Sequence, residues 1–207
     1  MVDYFRVHPL NPQPRALRAV VDVVKSGGLI AYPTDSGFAL GTRMGNRDGM
    51  NRIKQIRQLN DKHNFTVMVS EFAHIGDYVE MDNRVFRAVK VATPGPFTFI
   101  LKATREVPRV MLQPKKKTIG IRVPDHVTAL AILKELNEPL LTSTLILPGQ
   151  DEPESDGELI RDRLGHLVDA IIDSDDAGRD PTTVIDFSLD EPEVVRLGAG
   201  DPEIVIG

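Results

Sequence analysis

The chain of 207 residues contains no cysteine and no tryptophan, and only 5% of its residues are aromatic. Without cysteine it can form neither a disulfide nor a thiolate metal site, which fits a reducing compartment. No apolar run approaches the ~18 residues of a membrane span, and Met1–Leu10 has no apolar segment typical of a signal peptide. We therefore expect a cytoplasmic protein with no membrane contact. Since 41% of the residues are hydrophobic, we expect one domain over residues 1–207.

The sequence also lacks the common signatures of nucleotide and metal enzymes. It has neither a Walker A loop nor the glycine fingerprint of dinucleotide-binding folds. No two histidines have the His-x-x-x-His spacing of helical zinc sites; they are His8, His63, His74, His126 and His166. We therefore expect no metal site formed by protein side chains and no histidine-based nucleophile.

The net charge of −5 is unevenly distributed along the chain. Residues 1–122 hold 20 Lys/Arg and 10 Asp/Glu, whereas residues 123–207 hold 5 and 20. Such asymmetry indicates a basic face that meets phosphates and an acidic part that keeps the protein soluble. Chance clustering of solvated charges is the alternative.

Short apolar strands alternate with amphipathic helices, which predicts an α/β fold with a covered sheet. The first helix follows Pro14, carries Leu17 and Val20, and ends at Gly27-Gly28; Asn46 caps a second one. Further helices are predicted near 71–79, 83–91 and 126–136. The predicted strands are 29–32, 65–69, 97–102, 118–123, 140–147, 170–172, 183–187 and 194–197, and we expect the first five in one mixed sheet.

Polar side chains recur at the predicted strand ends, where open α/β sheets bind ligands. The segment 33–37, Pro-Thr-Asp-Ser-Gly, is interpreted as a turn with three projecting polar side chains. Hydroxyls and guanidinium groups suit anions, and we expect one cavity to be faced by Thr34, Ser36, Arg57, Arg122, Ser143 and Arg196. An ordinary turn and a solvated helix face are the alternatives. The acidic stretch 148–157 is predicted to be a loop, either a flap over a site or a surface connection.

In order along the chain, these motifs resemble those of the YrdC/YciO family. The resemblance covers about residues 12–198 and uses Pro33-Thr34-Asp35-Ser36, Pro94-Gly95-Pro96-Phe97-Thr98, Arg122-Val123-Pro124, Pro181-Thr182-Thr183-Val184-Ile185-Asp186 and Arg196-Leu197-Gly198. Residues 63–66 and 143–149 look closest to the YciO branch.

The resemblance implies a twisted open mixed sheet with helices on its faces, the YrdC/RibB-like fold. It implies threonylcarbamoyl-adenylate synthesis from ATP, L-threonine and bicarbonate, with Mg²⁺ accompanying the nucleotide, and binding of tRNA or double-stranded RNA. Arg57 and Arg122 are expected to be catalytic. The expected substrate-binding residues are Thr34, Ser36, Thr66, Arg122 and Ser143; the nucleotide-binding ones are Arg57, Ser143, Thr182 and Arg196; the RNA-binding ones are Lys54, Lys62, Lys115, Lys116 and Lys117.

Two motifs depart from the family pattern. The family's KxR aligns with Arg57-Gln58-Leu59, and its SxN aligns with Ser143-Thr144-Leu145, so a cation and an amide are replaced by leucine. Loss of a guanidinium from a phosphoryl-transfer site slows the reaction, which predicts weak activity that Arg57→Lys, Leu59→Arg and Leu145→Asn would raise. Lys62 or His63 could supply the missing charge. The alternatives to a synthase are an RNA-binding protein with a degenerate nucleotide site and a hydrolase of adenylylated molecules.

Overall fold

The computed structural model describes residues 2–60 and 63–207 and contains a ten-stranded sheet flanked by helices. The strands are β1 (Asp3–Arg6), β2 (Ile30–Thr34), β3 (Gly37–Arg43), β4 (Thr66–Met68), β5 (Phe97–Lys102), β6 (Thr118–Arg122), β7 (Leu140–Thr144), β8 (Ala170–Asp173), β9 (Thr183–Asp186) and β10 (Glu193–Arg196). The helices are α1 (Pro14–Lys25), α2 (Arg47–Arg57), α3 (Ile75–Tyr78), α4 (Asn83–Val91), α5 (Val127–Leu136), α6 (Gly157–Leu164) and α7 (Glu203–Ile206). Among the described residues, none of these helices could cross a membrane.

The strand order is β1-β8-β2-β3-β7-β4-β6-β5-β9-β10, and neighbouring strands run both parallel and antiparallel. The five strands expected in one mixed sheet all belong to it, so this part of the fold prediction is confirmed. The predicted late strands are found as β8, β9 and β10. The helix expected over 71–79 is shorter: a 3₁₀ turn at 72–74 leads into α3.

Helices cover the two faces of the sheet unequally. On one face, the apolar sides of α1 and α5 pack on Ile30, Tyr32 and Met68 in the smaller of two buried clusters. On the other face, α2 contributes Met50, Ile53 and Ile56 to the larger cluster. Since α1 and α5 lie over β2, β3 and β8, part of the first face is left without a helix. That bare part is where the cavity described below is found.

The caps predicted for the first two helices are observed. Pro14 is the first residue of α1, and Gly27, at φ +87°, follows its end in the left-handed region. The Asn46 side chain accepts a hydrogen bond from the Gly49 amide, and its amide group donates to the Gly27 carbonyl at 2.8 Å. Asn46 thus ties the start of α2 to the end of α1.

The segment 33–37 is a strand end and a tight turn, and its side chains do not project from it. Pro33 and Thr34 belong to β2, and β3 begins at Gly37 with φ +84°. Thr34 and Ser36 are buried. The sequence interpretation missed β3, because its small residues show no clear alternation of apolar and polar side chains.

The loop 148–157 is anchored at its centre. The Glu154 backbone accepts from the Phe38 amide at 2.8 Å and donates to the Leu145 carbonyl at 2.9 Å, which extends the β3–β7 pairing. The Glu154 carboxylate is buried and lies 3.2 Å from Arg163 of α6. A helix, α6, that the sequence interpretation missed follows directly.

Both leucines that replace polar family residues pack in the larger buried cluster. Leu145 has no exposed surface, and Leu59 is partly buried against the same cluster. Neither lines the cavity. Leu59→Arg and Leu145→Asn would both place polar groups against apolar packing, and the expectation that they raise activity stays a prediction.

We predict that Leu145→Asn lowers the free energy of unfolding by about 2–4 kcal/mol, because an amide would be buried among apolar side chains and the leucine packing lost. Leu145→Met, which keeps volume and polarity, should cost less than about 1.5 kcal/mol. Urea unfolding of both variants measures the difference, with Leu197→Asn at an exposed position as the control. Equal midpoints for Leu145→Asn and the wild type would contradict the prediction.

Candidate functional site

A cavity of about 430 Å³ lies on the part of the sheet that α1 and α5 leave bare. Its floor is formed by β4, β6, β5 and β9. Thr66 of β4 lies opposite Gly120 of β6, which in turn lies opposite Ile100 of β5. Residues that lie opposite each other in neighbouring strands point to the same face of the sheet. Gly120 keeps this floor open: a Cβ atom there would lie 2.7 Å from the Thr66 hydroxyl. The floor thus offers apolar surface from Ile100 and Val184 together with threonine hydroxyls.

Three polar side chains from separate segments meet at one wall of the cavity. Arg57, at the end of α2, donates a hydrogen bond to the Ser143 hydroxyl of β7 at 2.5 Å and to the Ile146 carbonyl at 3.3 Å. His63 Nε2 lies 3.2 Å from the same hydroxyl. The His63 ring is also held edge-on against Phe65, with the ring centroids 5.6 Å apart. Ser143 is therefore the point that joins Arg57 and His63.

A second guanidinium stands on another wall. Arg196 of β10 donates to both the carbonyl and the hydroxyl oxygen of Thr182, at 3.0 and 2.9 Å. The Thr182 hydroxyl lies 3.0 Å from that of Thr98 on the floor. These bonds fix the orientation of Arg196 without neutralising its charge.

The charged side chains among the described lining residues of the cavity are the two arginines. Burial, reinforced by Arg196, lowers the pKa of Arg57 to about 10. Burial and nearby Arg122 lower the pKa of Arg196. Burial, and then Arg57, Arg196 and Lys54, lower the pKa of His63 to about 4, so the imidazole is neutral at pH 7. No Asp or Glu is present among the described lining residues, and this arrangement favours an anionic ligand.

Arg122, Thr34 and Ser36, which we expected to face the same cavity, are buried beside it and do not line it. One Arg122 nitrogen donates to Asp35 at 2.5 Å and lies 3.5 Å from the Ser36 hydroxyl. The Thr34 hydroxyl is used within the turn, where it donates to the Gly37 carbonyl at 2.7 Å. Of the six residues expected to face one cavity, only Arg57, Ser143 and Arg196 line it. Thr66 and Thr182, expected to bind substrate and nucleotide, line it as well.

The Arg122–Asp35 pair has unsatisfied polar atoms. Arg122 Nε and Asp35 Oδ2 are buried and have no hydrogen-bond partner among the described residues. A buried donor and a buried acceptor without partners cost free energy. The sequence interpretation included Asp35 only as one of three polar turn residues, because nothing in the sequence pairs it with a residue 87 positions away.

The lysines expected to bind RNA fall into two groups. Lys115, Lys116 and Lys117 form an exposed turn before β6, and Lys116 lies 3.6 Å from the buried carboxylate of Asp186. Lys54 is in the last turn of α2. Lys62, expected to bind RNA and to supply the charge missing at Leu59, lies outside the described residues.

The described cavity does not fit a protein-held Mg²⁺ ion. Mg²⁺ is bound in proteins through one or two carboxylates together with phosphate oxygens, and the described lining residues supply hydroxyls, an amide and cations instead. No cluster of three His, Asp or Glu side chains with metal-binding geometry is found in the described residues. Any Mg²⁺ accompanying a nucleotide would have to be held by the phosphates.

We predict that the cavity binds small polyanions through Arg57 and Arg196. Pyrophosphate at about ten times its Kd should raise Tm by about 3 °C. In the Arg57→Gln/Arg196→Gln variant the shift should disappear, because the lining residues that the structure describes include no other guanidinium. Arg47→Gln, which removes an exposed arginine at the start of the same helix, is the matched control. A full shift in the double variant, measured by differential scanning fluorimetry, would place the anion elsewhere.

Comparisons with known proteins agree with the family suggested by the motifs. The family model for Sua5, YciO and YrdC, described as telomere recombination, matches residues 22–198. The uncharacterized protein YciO of Escherichia coli K12 is 51% identical over 97% of this chain and 98% of its own length. An uncharacterized protein of Haemophilus influenzae is 46% identical over 97% of both chains.

Solved structures show the same fold. The crystal structure of E. coli YciO, 50% identical, superposes with a TM-score of 0.96 over 99% of this chain and all of that one. The structure of Sua5 from P. abyssi complexed with L-threonine, 20% identical, has a TM-score of 0.86 over 99% of this chain and 61% of that one. Together, the family model and the near-complete alignment with YciO establish that this chain belongs to the Sua5/YciO/YrdC family.

Proposed function

We propose that the protein is an adenylate-forming enzyme of the threonylcarbamoyl-adenylate synthase type, which uses ATP, L-threonine and bicarbonate. The observation that carries this proposal is the cavity with two guanidinium groups, Arg57 and Arg196, and no carboxylate among its described lining residues. A buried charge without a counter-ion is costly. A triphosphate bound there would remove that cost.

The cavity has the composition expected for a nucleotide. The apolar floor at Ile100, Val184 and Val195 suits a purine ring, while the hydroxyls of Ser143 and Thr182 and the two arginines suit phosphates. A family member of known structure, P. abyssi Sua5, was crystallised with L-threonine, which supports an amino-acid substrate here.

The Arg122–Asp35 pair is suited to an amino acid. Arg122 Nε needs an acceptor and Asp35 Oδ2 needs a donor, and a zwitterionic α-amino acid carries a carboxylate and an ammonium group on the same carbon. Arg122 acts electrostatically on Arg196, so an amino acid at this pair would lie close to the phosphate walls. Because both atoms are buried, the turn at residues 35–36 would have to open to admit it.

The proposed reaction joins the amino acid to the nucleotide. The threonine amine, after losing its extra proton, condenses with bicarbonate to a carbamate, with release of water. An oxygen of this carbamate attacks the α-phosphorus of ATP; an oxygen–phosphorus bond forms and the bond to pyrophosphate breaks. Negative charge accumulates on the leaving pyrophosphate, and preorganised cations lower the barrier. Arg57 and Arg196 are placed to stabilise that charge, while Arg122 would orient the nucleophile. We propose that the product serves threonylcarbamoyl-adenosine formation in tRNA.

We predict pyrophosphate release from ATP that depends on both L-threonine and bicarbonate. Arg57→Met should lower kcat/KM by about 30- to 1000-fold, because one phosphate-directed cation is worth about 2–4 kcal/mol in the transition state. Ser36→Ala should raise the KM for threonine more than it changes kcat. Arg47→Gln is the control for surface charge. ATP binding without threonine-dependent release, or consumption of added adenylate instead, would refute the synthase and favour a hydrolase.

A second proposal, RNA binding, is supported by the position of the lysine turn. Thr118, directly after Lys117, lies 3.2 Å from the side chain of Asn64, which lines the cavity. The exposed turn 115–117 is therefore at the cavity's rim, where an RNA backbone could approach a bound nucleotide.

We predict that tRNA binds with an affinity that falls steeply with salt, because phosphate contacts release counter-ions. Lys115→Gln/Lys117→Gln should reduce the slope of log Kd against log salt by about 2. Lys25→Gln, an exposed lysine at the end of α1, is the control and should leave the slope unchanged. Filter binding at several salt concentrations measures it. An unchanged slope in the double variant would exclude this turn as the RNA contact.

A further inference from the structure

Among the described lining residues of the cavity, His63 is the one histidine, and it contacts Ser143, the residue that also holds Arg57. Its Nε2 atom lies 3.2 Å from the Ser143 hydroxyl, which already accepts a hydrogen bond from Arg57. The edge-on contact with Phe65 fixes the ring. His63 therefore cannot alter its charge without altering the hydrogen bonds of Ser143.

The hydrogen-bonding capacities of Arg57 and His63 limit the directions open to the hydroxyl proton of Ser143. Arg57 is only a donor, so it occupies one lone pair of the oxygen. The hydroxyl proton is then free to point at His63 Nε2, provided that this nitrogen is deprotonated. A neutral His63 with its proton on Nδ1 satisfies both groups, and burial, together with the surrounding cations, keeps it in that form.

Protonation of His63 would reverse this arrangement. An imidazolium has a proton on Nε2 and must donate to the Ser143 oxygen, whose two lone pairs are then occupied by Arg57 and His63. The hydroxyl proton has to turn away from His63, towards the cavity. One proton taken up at His63 therefore adds a positive charge to the wall and makes Ser143 a hydrogen-bond donor to a ligand.

We propose that His63 takes up a proton when a polyphosphate binds, so that nucleotide affinity is coupled to pH through the His63–Ser143–Arg57 chain. The proposal rests on the anionic ligand class of the proposed function, but not on synthase chemistry. Among the described residues, the charged groups acting on His63 are Lys54 and Arg57 of α2 and Arg196 of β10, all cations. A phosphate between them would oppose their effect and raise the pKa of His63 from about 4.

The coupling has a definite sign. A proton taken up on binding makes affinity rise as pH falls, by up to about tenfold per pH unit between the pKa values of His63 in the free and the bound protein. Above the pKa of the bound form the effect vanishes, because His63 stays neutral in both states. Substitution by glutamine keeps a hydrogen-bonding group beside Ser143 but removes the titration.

The experiment uses ADP without added metal and compares wild type with His63→Gln. Isothermal titration at about pH 5.5 and about pH 8, in buffers of different ionisation enthalpy, gives the affinity and the number of protons taken up. The ionisation of ADP itself cancels in the comparison. From about pH 8 to about pH 5.5, we expect the ADP affinity of the wild type to rise about tenfold more than that of the variant. The extra proton taken up by the wild type should be absent from the variant.

NMR titration of the histidine side chains gives a second measurement. The pKa of His63 should rise on ADP binding. His74→Gln, in the 3₁₀ turn before α3, is the matched control and should leave that rise unchanged. ADP binding with the same pH dependence in wild type and His63→Gln would overturn this proposal and leave the proposed function standing. If ADP binds at neither pH, both the proposal and the proposed function are wrong.

Discussion

The hydrogen bond from Arg57 to Ser143 is the contact on which the arrangement of the candidate site depends. It joins the end of α2, which packs on one face of the sheet, to β7 near the edge of the bare face. Helix α2 ends at Gln58 in the left-handed conformation, and the Leu59 amide donates to the Lys54 carbonyl at 3.0 Å. The negative end of the helix dipole stabilises a cation there, so the helix itself offsets part of the cost of burying Arg57.

The arrangement of the candidate site also requires the part of the sheet that no helix covers. A guanidinium without a counter-ion near a sheet covered by helices would be packed against apolar side chains, where the free-energy cost of burying its charge would be high. Here, the cover ends beyond β3, and the floor consists of glycine and threonine together with isoleucine and valine. Threonine suits both a strand and a binding surface, because its branched β-carbon favours the extended backbone and its hydroxyl can form a hydrogen bond with a ligand. The same sheet thus holds a buried core at one end and an open binding surface at the other.

The sequence indicated most of the fold and only part of the site. Strands such as β5 and β6 are apolar runs between clear turn signals, and the caps at Pro14 and Asn46 follow from local chemistry, so they could be predicted. Strand β3 could not, because Gly37 and Gly41 weaken its pattern. In the site, hydroxyls and arginines at strand ends were identifiable by type. The partners of these residues could not be identified. Arg122 pairs with Asp35, and Ser143 with His63, across long stretches of sequence, and such pairs are brought together only by the folded sheet.

The two departures from the family motifs have a common physical consequence. Leucines at 59 and 145 extend the buried apolar cluster beneath the cavity, and each removes a polar group that would otherwise need a partner there. Beside this cluster, Arg57 at the end of α2 reaches Ser143 and the Ile146 carbonyl. Reversion of single residues to the family pattern would therefore disturb the packing before it restored any chemistry, because the apolar cluster and the hydrogen-bonded wall share the same backbone.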